Sequence, residues 1–139
     1  MSRSTSYRLS QATRDRLARQ AGREGISATA LLDRFIHEGI DTIDYPGIVH
    51  TGPPHDRRAA LAGGPDVWEI VARLRQLEGV EEARIRLLAA ETGLHPRNIR
   101  AALAYGAANP AAITARIEAN ETAIRDAQAA TEARRSLLA

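Results

Sequence analysis

The chain contains no cysteine and no lysine, has only five aromatic residues and carries no long apolar run. Without cysteine there is no disulfide, no thiolate metal ligand and no thiol nucleophile. No segment approaches the ~20 consecutive apolar residues of a membrane span. Met1–Ser10 also lacks the apolar centre of a secretory signal, so a soluble, cytoplasmic protein without a membrane partner is expected. With Tyr7, Phe35, Tyr45, Trp68 and Tyr105 as the only aromatics, the core must be built from aliphatic residues and alanine. No serine sits in a nucleophile-elbow context, no glycine loop is arranged to cradle phosphate, and the carboxylates are scattered along helix surfaces. No enzyme and no cofactor are therefore expected. His50 and His55 lack a third ligand nearby and read as surface residues, not a metal site.

What is present is unevenly distributed. The 139 residues carry a formal net charge of +2, and every basic residue is arginine. Residues 1–25 hold six arginines (Arg3, Arg8, Arg14, Arg16, Arg19 and Arg23) against Asp15 and Glu24. Residues 26–50 reverse the sign, with Arg34 against Asp33, Glu38, Asp41 and Asp44. A basic end on a near-neutral chain is the footprint of a module that meets phosphates, although a solvated helix face has the same composition.

Punctuation and periodicity divide the chain into residues 1–45, a linker over 46–65, a helical unit over 66–109 and a last helix over 110–139. In the first part, Ser4–Leu9 alternates, with Thr5, Tyr7 and Leu9 on one face and Ser4, Ser6 and Arg8 on the other, as in a half-buried strand. Ser10 is placed to cap a helix over Gln11–Glu24, whose inner stripe is Thr13, Leu17 and Ala21, and Gly25 follows as a C-terminal stop. Ser27 caps a second helix with apolar positions Ala28, Leu31, Leu32, Phe35, Ile36, Ile40 and Ile43, a wide face at steps of three and four. One strand makes no sheet, and two helices of this size do not bury such a face. Both defects vanish when two copies pair, the strands as an antiparallel ribbon and the second helices across the two-fold axis.

The segment Ser4-Thr-Ser-Tyr-Arg-Leu-Ser, the basic helix after it, Gly25-Ile26-Ser27 and the helix from Ala28 to Ile43 resemble the ribbon–helix–helix superfamily of Arc, MetJ and CopG repressors. The resemblance implies a homodimer, or a higher even oligomer, on operator DNA. Ser4, Ser6 and Arg8 would enter the major groove, Arg8 clasping a guanine through two hydrogen bonds. Arg3 and the start of the second helix, Ser27, Ala28 and Thr29, would hold backbone phosphate. Tyr7, Leu9, Leu31, Leu32, Phe35 and Ile36 would form the dimer core. Thr5 departs from the pattern, standing where such strands usually carry an aliphatic residue.

Residues 46–65 read as linker because Pro46-Gly47, Gly52-Pro53-Pro54 and Gly63-Gly64-Pro65 break helices repeatedly. Beyond them, Asp66 is placed to cap a helix to about Glu78 with Val67, Ile70, Val71 and Leu74 inward. A second helix is expected over Glu81–Thr92 with Ile85, Leu88 and Ala89 inward. A third runs from Pro96 to about Ala108 with Ile99, Ala102 and Leu103 inward. Pro110 opens the last helix, in which Ile113, Ile117, Asn120, Ile124, Ala127, Thr131, Arg134 and Leu138 follow steps of four and three. That seam is apolar only in its first half and fades near Ala127.

Ala89, Gly93, Leu94 and Ile99 stand at helix-turn-helix spacing, which would put Arg97, Asn98 and Arg100 on a recognition helix as a second DNA contact; many helix pairs turn on a glycine with no such role. Gly63-Gly-Pro-Asp-Val-Trp-Glu-Ile-Val together with Ile99-Arg-Ala-Ala-Leu-Ala-Tyr105 resembles small bacterial helix-turn-helix domains that accompany PIN-type ribonuclease toxins. That resemblance implies an antitoxin similar to the VapB group, with a co-encoded toxin as partner. Ile117, Ile124, Arg125, Arg134 and Arg135 on the last helix would be its contacts. Mainly α architecture, an antitoxin that represses its own operon and, as the alternative, a stand-alone ribbon–helix–helix regulator are the expectations carried forward. A gene for a small acidic-site nuclease next to this one separates the two.

Overall fold

The computed structural model describes residues 3–139 and contains six helices and one two-stranded antiparallel sheet. Helices α1 (Gln11–Glu24) and α2 (Ala28–Asp44) form a helical hairpin. Strands β1 (Ile48–Thr51) and β2 (Arg58–Leu61) follow, and then α3 (Val67–Gln76), α4 (Glu81–Thr92), α5 (Pro96–Ala108) and α6 (Pro110–Leu138).

The helix ends form where short-range chemistry puts them. The Ser10 hydroxyl accepts from the Thr13 amide at 3.2 Å, and the Ser27 hydroxyl accepts from the Ala30 amide at 3.1 Å. Gly25 closes α1 at φ +68, where its N–H reaches the carbonyls of Ala21 and Gly22. Asp66 occupies the N-cap of α3 but does not cap it. Its carboxylate is taken instead by the Arg58 guanidinium, through Nε at 2.7 Å, and by Trp68 Nε1 at 3.1 Å.

One expectation is corrected here, and another concerns a pairing that needs a second copy. Residues 3–10 form no strand in the single chain. Thr5 and Tyr7, assigned to an inner face, are exposed, and Leu9 alone is partly covered. A strand exists only with a partner for its backbone, and no described segment lies alongside this one. Residues 46–65, read as linker, instead hold the β-hairpin, paired from Ile48 with Leu61 to Thr51 with Arg58. Its turn glycines bend the chain back on itself without releasing it. Gly52 stands at φ +101, with its Cα so close to the Asp56 carbonyl that an added Cβ would lie 2.2 Å from that oxygen. Gly52→Ala is accordingly expected to lower stability by about 2–3 kcal/mol, seen as a lower thermal midpoint. An unchanged midpoint would show that the loop has room to relax.

The hairpin is anchored because Ile48 and Leu61 are buried in the main core with Val67, Ile70, Leu74, Ile85, Leu88, Ile99, Ala102, Tyr105, Ile113 and Ile117. The α1–α2 unit has almost no interior of its own: Ala21 and Leu31 are its only buried hydrophobic residues. Tyr45 at the end of α2, edge-on to Tyr105, and polar contacts join it to the body. Arg34 makes a two-pronged pair with Glu24 (2.9 and 3.1 Å) and reaches Glu38 at 3.4 Å, and Glu38 is also held by Arg57 of the hairpin loop. No described helix is long and apolar enough to cross a membrane.

Candidate nucleic-acid interface

The amino-terminal segment leads straight into the Ser10 cap, so its exposed side chains Arg3, Ser4, Ser6 and Arg8 stand next to the basic helix α1. Tyr7 is 81 % exposed. Along α2, a row of large apolar side chains faces outward: Phe35 at 47 %, Ile36 at 49 %, Ile40 at 51 % and Ile43 at 77 % exposure. Because three of the four are already about half covered, burying the rest is worth roughly 1 kcal/mol per side chain, still a reason for the row to be covered. An open groove of about 630 Å3 between α1 and α2 is lined by Leu9, Leu17, Leu32 and Phe35, with Arg16, Arg19 and Arg23 on its rim. The guanidinium of Arg34 lies over the Phe35 ring, 5.3 Å from its centroid.

Of the six residues expected in a dimer core, five remain available: Tyr7, Phe35 and Ile36 are exposed, and Leu9 and Leu32 are partly so. Leu31 is corrected, because it is fully buried within one chain and offers nothing to a partner. At the start of α2, Ser27, Ala28 and Thr29 are exposed. The Ser27 hydroxyl serves Ala30, and among the described residues the amides of Ala28 and Thr29 have no acceptor. They point out of a helix N-terminus, the geometry that receives an anionic oxygen.

The second candidate reader changes on inspection. Helices α4 and α5 do turn on Gly93 at φ +77, with Ile99 fully buried behind them. Yet Arg100 is paired with Glu82 of α4 at 2.7 Å, and the Asn98 side chain lies beside Gly47. Arg97 alone of the three stands exposed without a carboxylate partner among the described residues. Sequence spacing located the turn but not Glu82, which is far from Arg100 along the chain and adjacent in space.

On α6, Ile117 is buried and belongs to the core, which corrects its assignment as a partner contact. Ile124 is half exposed, and Arg125, Arg134 and Arg135 are exposed, the last with Glu132 at 3.9 Å. The seam therefore leaves the core at Ile117, ten residues before the fading read from the sequence. The helix nevertheless continues to Leu138, with nearly every residue after Ile117 exposed. Over 21 residues at ~1.5 Å each, this arm extends roughly 31 Å.

Ion pairs set the titration of the surface. The Arg34 guanidinium holds the Glu24 carboxyl below its usual range, and Arg116 does the same for Asp56, Arg100 for Glu82 and Arg73 for Glu91. Burial pushes the Tyr105 phenol up. A depressed carboxyl stabilises the fold above its unfolded value and loses that contribution as pH falls through its folded value. The thermal midpoint is thus expected to hold from about pH 7 to 5 and to decline below ~4.5. Glu24→Gln should make that decline shallower, and an unaltered acid slope would remove this pair from the account.

Compared with protein-family models, curated proteins and solved structures, the chain matches none of them.

Proposed function

We propose that the chain is a DNA-binding antitoxin that works as a ribbon–helix–helix homodimer, represses its own operon and restrains a PIN-type ribonuclease. The observation that carries the DNA-binding part is the state of the α1–α2 unit. It has two buried hydrophobic side chains, an uncovered apolar row from Phe35 to Ile43 and an unpaired amino-terminal segment beside a basic helix. A second copy supplies what both features lack, a strand for the segment and an apolar face for α2. Pairing then brings two copies of Ser4, Ser6 and Arg8 together on one ribbon. The Ala28 and Thr29 amides of each copy are left for the flanking phosphates.

The antitoxin part draws support from the α6 arm. A helix standing in solvent with Ile124, Leu137 and Leu138 exposed has apolar surface for a partner, and Arg125, Arg134 and Arg135 complement a carboxylate-lined metal site. Truncation after Asn120 spares the core residues Ile113 and Ile117. It should leave dimer formation and the operator footprint unchanged while abolishing capture of the neighbouring nuclease on co-purification. Retained capture would move the inhibitory surface elsewhere. Loss of operator binding would favour the stand-alone regulator, with α6 part of the dimer.

A further inference from the structure

We propose that the α6 arm pairs antiparallel with the arm of a second copy and so joins one α1–α2 dimer to another. The arm pair is read from α6 alone; the number of copies it joins rests on the α1–α2 pairing proposed above. Ile117 sits in the core, and Ile124, Thr131 and Leu138 continue its line along the helix at steps of seven. Such a line keeps to one side of a helix with a slow drift, the geometry of a seam between paired helices. Ile124 is 50 % and Leu138 86 % exposed, so the seam leaves the body with nothing over it among the described residues.

The charges beside the seam identify what covers it. One edge carries Glu121, Arg125, Gln128, Glu132 and Arg135, all exposed, at helical steps of four and three. Turned end for end about Gln128, this edge meets its own copy with every sign opposed: Glu121 faces Arg135, and Arg125 faces Glu132. In a parallel pair each charge would face itself. Within one chain these groups are loosely held. Arg135 reaches Glu132 only at 3.9 Å, Arg125 donates to the Thr122 hydroxyl at 3.1 Å, and Glu121 has no ion pair among the described residues. The opposite edge, Ala123, Ala127 and Ala130, is small enough for two helices to approach closely, and Arg134 beyond it turns to Thr131.

A contact one helix wide and ~31 Å long falls short of the ~800 Å2 per partner of a standard interface, so two lone arms pair weakly. Two arms on one dimer engage two on another, and the second contact then forms at a raised effective concentration. Ile124 serves whichever occupant is present, so a captured nuclease and a second arm exclude each other.

The chain has no cysteine, so single-cysteine variants of the full-length protein report the pairing without background thiols. Treated with a short bismaleimide, Gln128→Cys should link to itself. Glu121→Cys mixed with Arg135→Cys should link to each other, and neither to itself. Ala133→Cys, on the far side of the helix, sets the level of chance collisions. In sedimentation, Glu121→Arg and Arg135→Glu should each weaken the association of dimers about tenfold or more, and the double variant should restore it. All these positions are exposed, so the core is untouched. Self-linkage of Glu121→Cys overturns the antiparallel arrangement. A parent chain that sediments as a dimer while Gln128→Cys links no more than the control overturns the arm pair, leaves the α1–α2 pairing standing and gives the seam to the nuclease. A parent that stays monomeric yet links through Gln128→Cys keeps the arm pair and overturns the α1–α2 reading instead.

Discussion

Phe35→Asp is expected to leave the chain folded and monomeric. Phe35 is half exposed in the single chain and lies outside the main core, so aspartate there costs the isolated subunit little. In the proposed dimer the same position comes close to its own copy across the two-fold axis. Two uncompensated carboxylates would then be buried together, a penalty of several kcal/mol. Sedimentation should show one subunit at concentrations where the proposal makes the parent chain a dimer. Circular dichroism should retain the helices, because Ile99, Leu88 and their neighbours are untouched. A variant that still sediments as a stable dimer would end the pairing proposed for α2. A variant that unfolds altogether would show that α1–α2 and the body stand or fall together through the contacts of Glu38, Asp41 and Tyr45.

Arg8→Ala is expected to erase sequence preference while sparing general DNA affinity. A guanidinium that meets a guanine through two hydrogen bonds contributes about 1–3 kcal/mol of discrimination, and a symmetric ribbon loses two at once, roughly 2–6 kcal/mol together. In the proposed complex non-specific binding would rest on phosphate contacts from Arg3 and the start of α2, which the substitution leaves in place. Competition between operator and random duplex at one fixed salt concentration measures the difference. If the variant separates the two duplexes as well as the parent, Arg8 does not read bases.

Much of the helical framework was legible because it rests on short-range chemistry. Ser10, Gly25, Ser27, Pro96 and Pro110 mark helix ends through bonds and dihedral limits within a few residues of themselves. The spacing of Ile85, Leu88, Ile99 and Ala102 named the buried faces correctly. The hairpin was missed because its glycines and prolines signal a break in helix without saying what comes next. Its four-residue strands carry too little alternation to stand out, with His50 and Thr51 beside Ile48 and Val49. Of the candidate site, the Phe35 face could be named from pattern alone, since an amphipathic face declares itself without its partner, whereas Arg8 was named through the resemblance to ribbon–helix–helix strands. The pairing of Arg100 with Glu82, and of Asn98 with the hairpin, lay beyond any pattern.

The amino-acid sequence by itself determined the six helices, the aliphatic core of the body and the division into a basic start and a helical remainder. These follow from periodicity, capping and composition, each a property of neighbours along the chain. Only the tertiary structure decided that Leu31 and Ile117 are spent inside the subunit, that residues 46–65 are a packed hairpin and that residues 3–10 are unpaired in a single chain. It also decided that His50, Arg58, Trp68 and Arg116 meet around one cavity. The physical reason is range: burial and ion pairing depend on which distant segments come within a few ångströms, and no local rule fixes that distance.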